Sequence, residues 1–325
     1  MPDAAACART RAACRRALEE SSDLRPLWRA WRTGDPDLAE ARALLLTLHT
    51  SAPAVPRLEQ LKQSLAQSGL PVGGGAFERF LIVSAAADAT GRVDGLPVDE
   101  SVKDLLLRNF ELYASASVPE PFDLSLASFV AMGRIATLSR FPAGQLDWVV
   151  SGIPRSWLLR VQWDAVPRFA RSLLFDFRGF GPAFFSHLNP NRRNQTVLLE
   201  RESLRSYHRM ARSMERQPGI RGFVTASWLH SPDTAVVSPH LAWLNDVFLH
   251  NGGIIVPLGK VDVACGVLHR SPERQQAYDE GRFTPTWALV IWPRRAMLAW
   301  ARGHEDLRDD LGIGRRALAT DGATA

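Results

Sequence analysis

Along the first quarter of the chain, apolar residues recur every three or four positions. RPLWRAWR, DPDLAEARALLLTLH and PRLEQLKQSLAQSG each carry this spacing, which predicts helices between about residues 3 and 69. Asp35 followed by Pro36 supplies an N-cap and a first helical residue that needs no amide donor, and Ser68-Gly69 closes the third helix. PVGGGAFERF then breaks the pattern. Gly73, Gly74 and Gly75 have no Lys-Ser/Thr after them, so they read as a hinge or turn and not as a phosphate cradle. Helical spacing resumes in DESVKDLLLRNFELY, with Asp99 or Ser101 as its cap.

After the proline-bearing link SVPEPFD the pattern changes to β-branched and aromatic runs alternating with short amphipathic stretches. FVAMGRIATLSRF and LDWVVSGI are expected to be paired strands joined at Pro142-Ala143-Gly144, and PRSWLLRV a helix starting at Pro154. AFFSHL, GFVTASWLH, IIVPLG and WALVIW read as strands. ESLRSYHRMARSMERQPG, HLAWLNDVFLHN, SPERQQAYDEG and RRAMLAWARGHEDL read as helices, with Ser238-Pro239 and Ser271-Pro272 as starts and Asn251-Gly252-Gly253 as a stop. The expected fold is α+β: a helical region over residues 1–116, a mixed, partly parallel sheet flanked by helices over residues 117–305, and a polar, disordered tail over residues 306–325.

Composition narrows the function classes. With 325 residues, 46% apolar and 22% charged, the chain is expected to be globular, and no run approaches the length needed to span a bilayer, so no membrane partner is expected. The N-terminus lacks the apolar core of a secretory signal and the three cysteines are odd in number, which together suggest reduced thiols and a cytoplasmic protein. A net charge of +5 invites anionic partners, but the basic residues are nearly all arginine and interleaved with acids, so nucleic acid is not the expected ligand.

Strong catalytic motifs are missing. RGFGPAFF has a proline where a dinucleotide loop needs a donor, and there is no GxSxG elbow. Cys265 reads as core, and the histidines form no HxH, HxxxH or HxD pair, so no metal site is expected; His230 with Asp233 comes nearest, and His230 reads as structural. Arg192 and Arg193, just ahead of a helix, are the candidate anion site, against the plainer reading of two solvated arginines. Arg155 with Trp157 pairs a planar cation with an aromatic surface that could line a pocket. Tyr278, on a short helix before a glycine turn, could act as a general acid or simply pack on the sheet.

Two resemblances follow from these residues. RFPAGQLDW, SGIPRSWL, GFVTASWLHSP, SPHLAWL and TWALVIWPRR, over about residues 125 to 302, resemble a family of uncharacterised bacterial proteins, which implies no activity. The order strand, basic loop, helix, strand, helix, strand over residues 183 to 292 is similar to the GNAT superfamily of acyl-CoA N-acyltransferases. In one register that resemblance implies a pyrophosphate site at Arg192, Arg193, Asn194, Gln195 and Thr196. In a second register AYDEGRF implies Tyr278 as the acid that protonates the leaving thiolate. The loop lacks the glycines of the GNAT pattern.

The expected function is therefore transfer of an acyl group from acyl-CoA, as co-substrate and without a metal, to a small-molecule amine. Trp228 and Trp243 are expected to line the acceptor channel, with Arg155 and Trp157 also binding substrate, and Asp246 and His240 are available as bases. A non-catalytic GNAT-like binding or accessory module, an aminoacyl-tRNA-dependent transferase and an RNA-binding protein are the alternatives.

Overall fold

The computed structural model describes residues 4–48, 54–115, 127–188, 198–260, 268 and 271–308. They form two compact units, one ending at Ala143 and the other beginning at Gly144.

The first unit is helical: α1 (Ala4–Glu20), α2 (Arg25–Arg32), α3 (Pro36–Thr47), α4 (Ala54–Gln67), α5 (Ala76–Ala89), α6 (Glu100–Ala114) and α7 (Ala127–Ala136). Local caps act as the spacing predicts. The Asp35 carboxylate accepts from the Leu38 amide at 3.0 Å, and Asp99 accepts from the Ser101 amide at 3.1 Å.

The centre of this unit is a helix that periodicity does not reveal. In α5 every residue except Arg79 and Asp88 is buried, and α1, α6 and α7 pack around it. A helix surrounded on all sides needs no polar stripe, so its sequence carries no helical period. The segment FVAMGRIA corrects a second expectation, since it is α7 and not a strand. Gly133 lets α7 approach α3 closely: a β-carbon there would lie 2.8 Å from Leu45 Cδ1.

The second unit is α+β, a mixed sheet flanked by helices. The two-residue β1 (Phe141–Pro142) belongs to the first unit; the strands of the second are β2 (Leu146–Gly152), β3 (Pro182–Leu188), β4 (Gly222–Ser227), β5 (Ile254–Lys260) and β6 (Thr286–Pro293), in the order β2-β3-β4-β6-β5. The sheet is open. Pairs β2–β3, β4–β6 and β5–β6 are antiparallel, while β3–β4 is parallel. That parallel pair is joined by the crossover helix α9 (Glu200–Glu215). The remaining helices are α8 (Val166–Arg171), α10 (Thr234–Val237), α11 (Trp243–Leu249), α12 (Pro272–Asp279) and α13 (Arg294–Arg302).

One face of the sheet is an aromatic core. Tyr207 of α9, Phe223 of β4, Phe248 of α11 and Trp292 of β6 meet with ring centroids 5.2 to 6.4 Å apart, and Trp300 of α13 lies 5.1 Å from Trp292. The strand β4 enters this core at Gly222, where a β-carbon would lie 2.4 Å from the Trp292 carbonyl oxygen. On the other face Val224, Val256, Leu289 and Ile291 pack against Val161, Phe169, Leu173 and Phe177. The helix expected from Pro154 shrinks to a 3-10 turn at Arg155–Leu159, none of whose residues is buried.

Candidate active site

Of the ladders β2–β3, β3–β4, β4–β6 and β5–β6, the parallel one is the shortest. It holds only two residue pairs, Phe184 with Phe223 and Phe185 with Val224, although β3 runs on to Leu188 and β4 to Ser227. At the vertex the buried Thr225 hydroxyl donates to the Ser186 carbonyl at 3.4 Å. Beyond it the ladder is not continued. A crevice at the C-terminal ends of parallel strands is the usual ligand position in an open sheet with a crossover helix.

The strands around the end of this ladder carry residues that the spacing of the sequence does not single out. His187, past the last residue of β3 that pairs with β4, stands opposite Asp147 of β2 in the antiparallel register, and Asp147 is fully buried. Phe185 contacts the His187 ring at 4.9 Å and the Trp157 ring at 5.7 Å. Trp157 is thus brought beside the end of the ladder. Arg155 instead lies 5.9 Å over the Phe180 ring.

At the C-terminal end of β4, Trp228 packs with Val237, Leu268, Ala277 and Phe283, and the Arg274 guanidinium lies 4.9 Å over its ring. Tyr278 sits next to Ala277 on α12, so its helix is anchored at this end of the sheet while the phenol itself is 37% exposed. Asp246 and His240 are exposed, Trp243 is half-buried at the start of α11, and among the described contacts no hydrogen bond or ring contact joins either acid-base candidate to Tyr278. Arg192, Arg193, Asn194, Gln195, Thr196 and Cys265 lie outside the described residues.

The N-terminus of α9 faces the same crossover. The buried Gln145 side chain caps it, its Oε1 accepting from the Leu199 amide at 3.1 Å and from the Ser203 hydroxyl at 2.8 Å. The next amides, of Glu200, Arg201 and Glu202, have no acceptor within the helix. The two glutamates of this first turn already complement the helix dipole, and Glu202 pairs with Arg205 at 2.7 Å.

His230 is structural, in line with its expected role. Its Nδ1 lies 3.1 Å from Asn245 Oδ1 and its ring meets Phe248 edge-on at 5.5 Å. Burial pulls its pKa from 6.5 down to about 4, with the Asn245 contact opposing the shift. The folded state therefore holds His230 neutral, whereas the unfolded chain takes up a proton near pH 6.5. The stability this neutrality supplies is present above pH 6.5 and lost as pH falls towards 4. Denaturant unfolding is expected to show a loss of about 3 kcal/mol across that window, and His230→Gln should flatten it. An unchanged slope in the variant would assign the acid sensitivity to other groups.

No family model and no curated protein sequence matches this chain. Among solved structures, an acyltransferase crystallised in complex with decanoyl-CoA is similar to 87% of this chain over 99% of its own length, at 16% identity and a TM-score of 0.44, a likeness too slight to carry an argument about activity.

Proposed function

We propose that the second unit is an acyl-transfer module that takes a thioester arm, of the acyl-CoA kind, into the opening between β3 and β4 and passes its acyl group to an amine. The observation that carries this reading is the parallel ladder that ends after two pairs while both strands continue, next to a crossover helix. An extended ligand can lie between the parted strands and meet main-chain groups there, as a strand would.

In the reaction the amine nitrogen attacks the thioester carbonyl, the new C–N bond forms, the C–S bond breaks, and the thiol leaves. Strand-edge amides at the opening polarise the carbonyl. We place the base at His187 and not at the exposed Asp246 or His240, because its imidazole is held against the Phe185 ring just past the last β3–β4 pair and has a ring nitrogen to accept the amine proton. Tyr278, on the helix anchored beneath Trp228, supplies the proton to the departing sulfur in this scheme, and Trp157 lines the entry.

A second reading, a binding module without turnover, is favoured by the start of α9, where Gln145 accepts the Leu199 amide and two glutamates of the first turn put negative charge against a pyrophosphate. One experiment separates them. Calorimetry with acetyl-CoA and longer acyl-CoAs should give heat, and free thiol should appear when amines are added. His187→Gln should cut thiol release about a hundredfold or more with little change in acyl-CoA affinity. No heat at millimolar acyl-CoA removes the transfer reading and selects the module, and heat without thiol release removes turnover.

A further inference from the structure

Between β2 and β3 the chain crosses one face of the sheet, and it is apolar on both of its sides. Inward, Val161, Ala165, Phe169, Leu173 and Phe177 recur every fourth residue, all buried in the sheet core. Outward, Leu159 and Trp163, four residues apart, are each 91% exposed, and the adjacent Leu174 and Phe175 are 64% and 74% exposed. A stretch that covers a core ordinarily turns polar residues to water. Four large apolar side chains left in water on one short segment are the kind of surface that marks an interaction site.

The charges around this segment choose the partner. Arg155, Arg160, Arg168, Arg171 and Arg178 are set against only Asp164 and Asp176 within residues 155–178. Arg168 is engaged with the Ile255 carbonyl and Arg155 lies over Phe180, while Arg160, Arg171 and Arg178 are exposed. A second copy of the chain docking here about a twofold axis would bring arginines against arginines. An anionic lipid surface satisfies both features, since aromatic and aliphatic side chains enter the boundary between headgroups and acyl chains while guanidinium groups meet lipid phosphates. No helix among the described residues is long and apolar enough to cross a membrane, so such binding is peripheral.

We propose that the outward face of residues 155–178 is a docking surface for an anionic bilayer, seated by Leu159, Trp163, Leu174 and Phe175 and held by Arg160, Arg171 and Arg178. This surface lies on the segment covering the sheet and does not depend on the acyl-transfer reading.

The test is flotation of the full-length protein with vesicles of phosphatidylcholine alone and of phosphatidylcholine mixed with phosphatidylglycerol. The protein should float with the anionic vesicles, bind the neutral ones far less, and be released by added salt. The double variant Trp163→Ala/Phe175→Ala should lose about tenfold or more in partitioning, with an unchanged thermal midpoint because both side chains are exposed. Arg160→Ala/Arg171→Ala should weaken only the anionic arm, by about tenfold or more. Failure of the wild-type protein to float with anionic vesicles overturns the proposal, as does equal partitioning of the aromatic variant. Light scattering that shows a dimer dissociated by Trp163→Ala would hand the surface to a second copy of the chain.

Discussion

Trp292→Ala is expected to lower the unfolding free energy of the second unit by about 4 kcal/mol, the largest loss from any one side chain of the sheet. Trp292 is fully buried near the C-terminal end of β6, paired with Phe223 of β4. Its ring meets Tyr207, Phe223, Phe248 and Trp300, so truncation opens a void that no flexible neighbour can fill. Its indole N–H also donates to the Asn251 carbonyl at 2.8 Å. Trp292→Phe keeps much of the ring but leaves that carbonyl without its donor, and about 2 kcal/mol should be lost. Urea unfolding followed by circular dichroism checks both values. A shift under about 1 kcal/mol for the alanine variant would mean that these aromatic rings do not form the core of the unit.

The second large effect lies in the helical unit. Glu78, in the first turn of α5, is fully buried, and its Oε1 lies 2.6 Å from the ammonium of Lys62 on α4. Among the described residues its other oxygen accepts no hydrogen bond. Lys62→Met removes the partner and strands a carboxylate away from water, which is expected to destabilise the unit by about 3 kcal/mol. Lys62→Met/Glu78→Leu replaces the pair with apolar groups of similar volume and should recover most of the loss, because the desolvation cost disappears with the charge. A double-mutant cycle by denaturant unfolding reads this directly. If the two single losses simply add in a corresponding double variant, the buried pair is not coupled and the argument fails.

The same pair shows why α5 escapes sequence reasoning. Its one inward charge is matched by a lysine on a different helix, so the sequence AFERFLIVSAAADA presents neither a polar face nor a period. FVAMGRIA has the same difficulty: a short apolar run fits a strand or a buried helix equally, and the snug contact of Gly133 with Leu45 settles it. The candidate site was legible only in pieces. Trp157, Trp228 and Tyr278 stand out as residue types, but His187 and Asp147 are far apart in the chain and acquire meaning only when β2 and β3 pair.

Read by itself, the sequence determined whatever depends on neighbours three or four residues away. It set the caps at Asp35, Asp99 and Ser271, the amphipathic face of α9, and the apolar runs of β4, β5 and β6, since each is a local hydrogen bond or a local repeat. Tertiary structure alone decided that β6 inserts between β4 and β5, that the β3–β4 ladder stops after two pairs, and that Leu159, Trp163, Leu174 and Phe175 face water while Val161, Phe169 and Leu173 do not. Strand order and burial are set by contacts between distant segments, and a linear pattern of apolar residues does not say which neighbour each one will meet.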